Sequence, residues 1–187
     1  MSVFLSPRLW INAGKIFMLV FVGVMILIQI PELLYDFSGR EPLRIDNVES
    51  LDKANIKGSV FAAVKGVPDF THAFTYHRYG LSYTYFMLEP YGRKLVVRTY
   101  ETIDEDWAKR AQFLGKMRPF DDQPFSYRIR DLYLERFQIV IPHDACFLGL
   151  MDIPKPNGWS IGAVIFASIM WLSMFYFFFI FRFRKSH

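Results

Sequence analysis

Two uncharged stretches decide how this chain is organised. Residues 16–31 read IFMLVFVGVMILIQIP, and residues 159–181 read WSIGAVIFASIMWLSMFYFFFIF. The first reaches about 24 Å as an α-helix, slightly less than the roughly 30 Å hydrocarbon core of a bilayer. Lys15 can extend its charge outward, and Leu33 and Leu34 can lengthen the other end. The second stretch is long enough to span with some tilt, so the sequence predicts two transmembrane helices, at 16–34 and 159–181.

A cleaved signal peptide is the alternative reading of the first stretch. It has the basic start and the apolar middle of a signal. The small residues of a cleavage site do not follow it, because residues 31–35 read PELLY. We therefore predict a retained anchor.

The basic excess of the chain lies at its two ends. The 187 residues include 22 Lys and Arg against 18 Asp and Glu, a net charge of +4. Five basic residues lie toward the chain ends, before the first apolar stretch or after the second, at positions 8, 15, 182, 184 and 185. The other 17 lie between residues 35 and 155, together with all 18 acidic residues except Glu32, so this middle segment is neutral. A nucleic-acid partner is therefore not predicted.

The positions of these charges also predict a topology. Short basic flanks of membrane helices stay on the cytoplasmic side, whereas a long segment is translocated largely regardless of its charge. Residues 1–15 and 182–187 are therefore predicted to be cytoplasmic tails, and residues 35–158 an extracytoplasmic domain. The predicted location is the bacterial inner (cytoplasmic) membrane with a periplasmic domain, and the mitochondrial inner membrane is the alternative. One cysteine excludes a disulfide scaffold.

The middle segment is predicted to be β-rich. Residues 81–88, LSYTYFML, and residues 94–100, KLVVRTY, are rich in the Tyr, Thr and Val that pleated sheets favour. Between them, Pro90 and Gly92 are placed for a turn with a left-handed residue at Gly92. These features predict a β-hairpin.

One short helix and further strands complete the predicted domain. Thr102 and Glu105 form a capping-box pattern for a helix that Gly115 can end, with Trp107, Ala111 and Leu114 on one face. Strands are predicted at 58–64, 116–120, 126–134, 137–141 and 145–151. The predicted fold is thus an α+β membrane protein whose outer domain is a partly closed barrel, like the five-stranded oligonucleotide/oligosaccharide-binding (OB) topology.

This layout is similar to that of the Surfeit-locus cytochrome oxidase assembly factors. The resemblance lies in an N-terminal span, a β-rich extracytoplasmic domain, and a C-terminal span with a basic tail. The charged, Trp-containing segment that follows the first span in those proteins is replaced here by residues 31–35. No functional residue is carried over from that family.

The sequence contains few candidates for chemistry. A metal or redox site needs several ligands from separate segments, and the nearest grouping is His143 with Cys146, which we interpret as a turn entering a buried strand. His72 and His77 are interpreted as surface or interface residues. No nucleophile elbow and no phosphate-binding glycine loop is present.

The remaining polar candidates also favour structural roles. Asp121 and Asp122 are interpreted as a solvated turn, and Arg128 and Arg130 as the polar outer face of a strand. We therefore predict no catalytic residue, no cofactor and no metal, and hence a protein that is not an enzyme.

Contacts with other proteins are the predicted activity instead. In the second span, Ser160, Ala163 and Ala167 form a stripe of small residues along which another helix can approach closely, unless the stripe is a chance pattern. Gln29 in the first span can hydrogen-bond to another helix or lie near the outer interface of the membrane. The aromatic end of the second span could contact lipid, quinone, pigment or other helices.

The outer domain and the spans together predict a place in an assembly. Tyr83, Tyr85, Met87 and Tyr91 are predicted as an aromatic interface on the outer domain. We predict a non-catalytic accessory subunit of a hetero-oligomeric membrane complex of respiratory, photosynthetic or secretion type, with integral membrane subunits and lipid as partners. The alternatives are a transient assembly factor and a membrane-anchored enzyme or ligand carrier.

Overall fold

The computed structural model describes residues 7–78 and 80–181, which form an α+β structure in two units. One unit contains the described residues up to Leu34 and from Pro156 onward, and the other is Tyr35–Lys155. In chain order the elements are α1 (Pro7–Phe37), β1 (Leu43–Ile45), α2 (Val48–Ala54), β2 (Val60–Lys65), β3 (Val67–Arg78), β4 (Leu81–Glu89), β5 (Gly92–Thr99), β6 (Gln112–Pro119), α3 (Ser126–Phe137), β7 (Cys146–Leu150) and α4 (Gly158–Phe175). Short 3₁₀ turns lie at Glu105–Lys109 and Phe120–Asp122, and a π-helical turn, Tyr176–Ile180, follows α4.

The two predicted apolar helices are present. Trp10–Phe37 and Gly158–Ile180 are long and apolar enough to cross a membrane. Helix α1 begins at Pro7, earlier than predicted, and a proline fits the first turn of a helix because that turn has no partner for its N–H. Part of the predicted N-terminal tail is therefore helical. The tail at 182–187 lies outside the described residues.

The second unit contains one seven-stranded mixed sheet with the strand order β1-β2-β6-β7-β5-β4-β3. The β1–β2 and β5–β7 pairs are parallel, and the other four neighbouring pairs are antiparallel. The sheet ends in β1 on one side and β3 on the other and is not closed. The predicted OB-like, partly closed barrel is therefore not confirmed.

The predicted hairpin is confirmed. Strands β4 and β5 pair antiparallel, and Gly92 has φ +52°, the left-handed conformation that glycine adopts without strain. The strands predicted at 58–64 and 145–151 are also present, as β2 and β7.

The prediction of a strand at 126–134 is wrong, because this segment is helix α3. Ile129, Leu132 and Tyr133 are buried, and their spacing of three and four residues is that of one helix face. The strand predicted at 137–141 is absent as well, since Phe137 ends α3 and the next residues form a connection.

The predicted helix after Thr102 is also wrong beyond its first turn. The structure has only the 3₁₀ turn Glu105–Lys109, which Asp104 caps by accepting a hydrogen bond from the Asp106 N–H. The chain then enters β6, where Phe113 and Met117 are buried and Leu114 is exposed. Pairing with both β2 and β7 draws this segment into the sheet and outweighs its helical pattern.

Each face of the sheet carries a hydrophobic core. Helix α2 and the 3₁₀ turn with Trp107 belong to the first core, which contains Leu51, Phe86, Trp107 and Leu148. Helix α3 belongs to the second core, which contains Phe74, Tyr85, Met87, Tyr133 and Phe147. The sheet is thus covered on both sides by residues of its own unit.

Candidate functional site

The two apolar helices contact each other through a tryptophan. The Trp171 indole N–H of α4 donates a hydrogen bond to the Leu19 carbonyl of α1 at 2.8 Å. Gly23 provides space for this ring, because a Cβ at that position would lie 3.3 Å from Trp171 Nε1. Sequence reasoning counted Trp171 only as one of several aromatic residues, and its partner is a backbone atom that leaves no sequence signal.

A groove of about 370 Å³ lies elsewhere between α1 and α4. Gln29, Ser160, Ala163 and Ala167, the residues that the sequence singled out for helix packing, all line it. Six further residues complete its lining: Val22, Met25, Ile26, Leu33, Trp159 and Val164. The structure therefore places the four predicted residues on one concave surface. Whether that surface binds another protein stays a prediction.

Two polar side chains in this groove have no hydrogen-bond partner in the part of the chain that the structure describes. Ser168 and Ser173, elsewhere on α4, donate hydrogen bonds to helix carbonyls at 2.8 Å. Neither the Gln29 amide nor the Ser160 hydroxyl has a side-chain hydrogen bond within the described residues. In a hydrocarbon environment such groups favour a partner that can hydrogen-bond to them.

The outer surface of the helix pair is apolar and exposed. The exposed fraction is 72% for Phe17, 69% for Phe166 and 82% for Trp159. Contiguous apolar surface of this extent is typical of regions that contact lipid or protein.

The predicted aromatic interface on the sheet unit is largely wrong. Tyr85, Met87 and Tyr91 are buried, with exposed fractions of 3%, 3% and 4%. Tyr85 and Met87 belong to the core beneath α3, and the Tyr91 hydroxyl donates to the Ile45 carbonyl at 3.2 Å. The prediction treated these residues as one exposed face, whereas Tyr85 and Met87 lie in the core with α3 and Tyr91 lies in the core of the other face of the sheet. Only Tyr83 remains partly exposed.

The His143–Cys146 segment forms the predicted turn and strand start. His143 is exposed, and its Nδ1 lies 3.3 Å from Asp121 Oδ2. Cys146 is buried, and burial raises the pKa of its thiol to about 11. Both line a cleft of about 540 Å³ that also contains the Asp52–Lys94 ion pair, with a distance of 2.8 Å between Lys94 Nζ and Asp52 Oδ1. A protonated thiol beside an internally paired lysine has no sign of nucleophilic activation.

The other polar candidates have structural roles. Arg130 Nη2 pairs with Asp121 Oδ1 at 2.8 Å, and its guanidinium also donates to the carbonyls of Ile141 and Pro142. Because α3 is a helix, the predicted strand face of Arg128 and Arg130 does not exist.

His72 and His77, the other histidines that the structure describes, each have a local partner. Nδ1 of His72 lies 2.6 Å from Asp69 Oδ2, and Nδ1 of His77 lies 2.8 Å from Ser82 Oγ. Among residues 7–78 and 80–181, no group of three or more His, Cys, Asp or Glu is placed to hold a metal ion.

Comparison with known proteins gives no relative: no family, no curated protein and no solved structure matches this chain.

Proposed function

We propose that this protein is a non-catalytic accessory subunit of a larger membrane protein complex. In this proposal α1 and α4 span the membrane and bind a transmembrane helix of a partner subunit, while the sheet unit braces an extracytoplasmic part of the complex. The observation that carries the proposal is the groove, which is lined by small residues and by two polar side chains without a side-chain hydrogen bond within residues 7–78 and 80–181.

A helix is a better occupant of this groove than a lipid chain. Ala163 and Ala167 let the backbone of a second helix approach closely, which increases dispersion contacts. Gln29 and Ser160 can hydrogen-bond with side chains or carbonyls of that helix, whereas acyl chains offer no donor or acceptor. Such interhelical hydrogen bonds contribute about 0.6 to 2 kcal/mol each.

The proposed location is the bacterial inner membrane, with both ends of the chain in the cytoplasm and the sheet unit in the periplasm; the mitochondrial inner membrane is the alternative. The basic ends and neutral middle of the sequence support this orientation. The single cysteine tests it, because a membrane-impermeant thiol reagent should label denatured Cys146 only from the outer side. Labelling only from the cytoplasmic side would contradict the orientation.

Filling the groove tests the accessory-subunit proposal. Ala163→Leu adds a bulky side chain to the groove, and we expect it to abolish co-purification of a defined complex in mild detergent from the native membrane. The matched control is Phe166→Leu, on the exposed surface of the same helix, which should leave the complex intact.

The stoichiometry of the purified complex separates the two leading functions. Recovery at a fixed subunit ratio with the mature complex supports an accessory subunit. Sub-stoichiometric recovery, with only immature complex, would favour an assembly factor, the function of the family that the layout resembles. If neither variant changes recovery, the groove is not the contact surface and the proposal is wrong.

A further inference from the structure

We propose that the sheet unit has a binding pocket for a small carboxylate with an aromatic body, centred on Arg98. The pocket is distinct from the helix groove and from the Cys146 cleft. It has a volume of about 240 Å³ and is lined by side chains of β3, β4, β5 and the segment before α3. The proposal does not depend on the accessory-subunit function.

Arg98 is the only charged side chain in the described lining of this pocket. Its guanidinium lies 4.9 Å from the ring centre of Tyr83 and 5.2 Å from that of Phe147. It forms no ion pair with any carboxylate in residues 7–78 and 80–181. Three other arginines of the sheet unit, Arg110, Arg128 and Arg130, each pair with a carboxylate.

A half-buried guanidinium held by two rings is suited to bind an anion. Cation–π contacts position the group but leave its N–H donors without an acidic acceptor. Carboxylates match the planar fork of arginine with two parallel hydrogen bonds. An incoming carboxylate would therefore supply the charge that the protein does not.

Two neighbouring side chains add donors at the same place. Burial raises the pKa of the Tyr85 hydroxyl, while Arg98 and Gln123 oppose this rise by hydrogen bonding, so the hydroxyl stays protonated at neutral pH. Gln123 is buried, and its Oε1 accepts a hydrogen bond from Arg118 at 2.7 Å. Its amide NH₂ is the donor toward the Tyr85 oxygen and carries a second N–H that can donate to a ligand.

The walls of the pocket fit an aromatic or apolar body. Tyr76, Tyr83 and Phe125 contribute rings, and Leu81 contributes an exposed aliphatic side chain. Phe125 has φ +65°, a conformation that costs a bulky residue about 1–3 kcal/mol and that is enriched at binding sites. Pockets for drug-sized ligands have volumes of about 300 Å³ or more, so a ligand about the size of benzoate fits here.

Fluorine NMR of 4-fluorobenzoate with the full chain in detergent micelles tests the proposal. We expect the protein to broaden the ligand signal, and unlabelled benzoate to reverse the broadening. Protein-free micelles correct for partition of the ligand into detergent. Neutral 4-fluorobenzamide is the control that lacks the carboxylate charge. The proposal would be overturned if the benzamide bound as tightly as the benzoate. It would also be overturned if no benzoate binding were seen up to about 10 mM, the concentration that corresponds to a binding free energy of about −3 kcal/mol.

Variants locate the binding. Arg98→Gln should weaken benzoate binding by at least about tenfold, because a charge-assisted hydrogen bond is lost. Arg93→Gln removes an exposed arginine from the same strand outside the pocket and should bind like the unmodified protein. Leu81→Asp, at an exposed position of the lining, should place a competing carboxylate in the pocket and also prevent binding.

The three variants also separate binding from folding. If Arg98→Gln unfolds the sheet unit, as seen by circular dichroism, Leu81→Asp becomes the deciding variant, since it leaves the core intact. Unchanged benzoate affinity in either folded variant would contradict the pocket. Tighter binding of phenyl phosphate than of benzoate, lost in Arg98→Gln, would also contradict the carboxylate preference.

Discussion

The two units of this protein use aromatic residues in opposite ways. In the sheet unit, Phe86 and Phe120 have an exposed fraction of 0% and Trp107 of 1%. In the helix pair, Phe166 is 69% exposed and Trp159 is 82% exposed. The sheet unit thus buries its apolar side chains within the chain, whereas the helix pair leaves them for its surroundings. Because exposed apolar area costs about 25 cal/mol per Å² in water, the exposed surface of the helix pair is compatible with a lipid or protein environment.

The polar groups of the two units differ in the same way. Asp121 and His72 in the sheet unit pair with neighbours on the same unit. In the helix pair, Trp171 has an internal acceptor, but Gln29 and Ser160 have none among the described residues. The helix pair has exposed apolar side chains and polar side chains without a described partner, so it is the unit that we expect to bind another protein.

The largest expected effect is the difference between truncating a buried phenylalanine of the sheet unit and truncating an exposed phenylalanine of the helix pair. Phe86→Ala removes a ring that packs against Phe70, Trp107 and Phe113. It should lower the free energy of unfolding of the sheet unit by about 3–5 kcal/mol. Phe166→Ala, on the exposed face of α4, should change it by less than about 0.5 kcal/mol. Denaturant unfolding of the full chain in detergent, followed by near-ultraviolet circular dichroism, measures the free energy of unfolding of both variants. Similar losses of stability in the two variants would contradict the difference between the units.

A second prediction concerns how well the sheet unit excludes solvent from its interior. Burial raises the pKa of the Cys146 thiol from 9.0 to about 11, so at pH 8 the folded protein holds about 100-fold less thiolate than the unfolded chain. Iodoacetamide should therefore alkylate native Cys146 at least about 100-fold more slowly than denatured Cys146.

The sign of the linked stability effect follows from the same pKa. The folded state retains its proton between pH 9 and about 11 while the unfolded state loses it, so this thiol makes stability fall as the pH rises through that range. Cys146→Ala should remove this contribution. Equal alkylation rates in native and denatured protein would show that this part of the core is open to solvent.

The smallest expected effect sharpens the description of the helix pair. Trp171→Phe keeps a ring near Gly23 but removes the hydrogen bond to the Leu19 carbonyl. It should weaken the association of α1 with α4 by about 1 kcal/mol. Trp159→Phe is the matched control, because no side-chain hydrogen bond of Trp159 is present in the described structure. Titration of mixed micelles with SDS separates the helices, and energy transfer between α1 and α4 follows this separation in each variant. Equal SDS midpoints for Trp171→Phe and Trp159→Phe would contradict an interhelical role for Trp171.

The elements that sequence reasoning predicted correctly depend on local chemistry. The hairpin requires Pro90 and Gly92 between two β-forming runs, and these residues determine the turn by themselves. The apolar helices require only an unbroken run of uncharged residues. The groove residues Ser160, Ala163 and Ala167 could be found because small residues at helical spacing mark one face.

The errors arose where a distant part of the chain decides the outcome. Trp107, Ala111 and Leu114 have helical spacing, but pairing with β2 and β7 makes residues 112–119 strand β6. Tyr85 and Met87 read as an exposed face because the helix that covers them lies about 40 positions further along the chain. The pocket at Arg98 gave no motif at all, since four separate segments form it.

The amino-acid sequence by itself determined the two apolar helices, the neutral middle segment and the β4–β5 hairpin, because charge, hydropathy and turn chemistry act between near neighbours. The tertiary structure alone decided that the sheet is open with seven strands, that α3 covers one face, and that Arg98 lies against the rings of Tyr83 and Phe147. These features depend on which strands pair and which faces meet, and long-range pairing free energies are not encoded in any short window of residues.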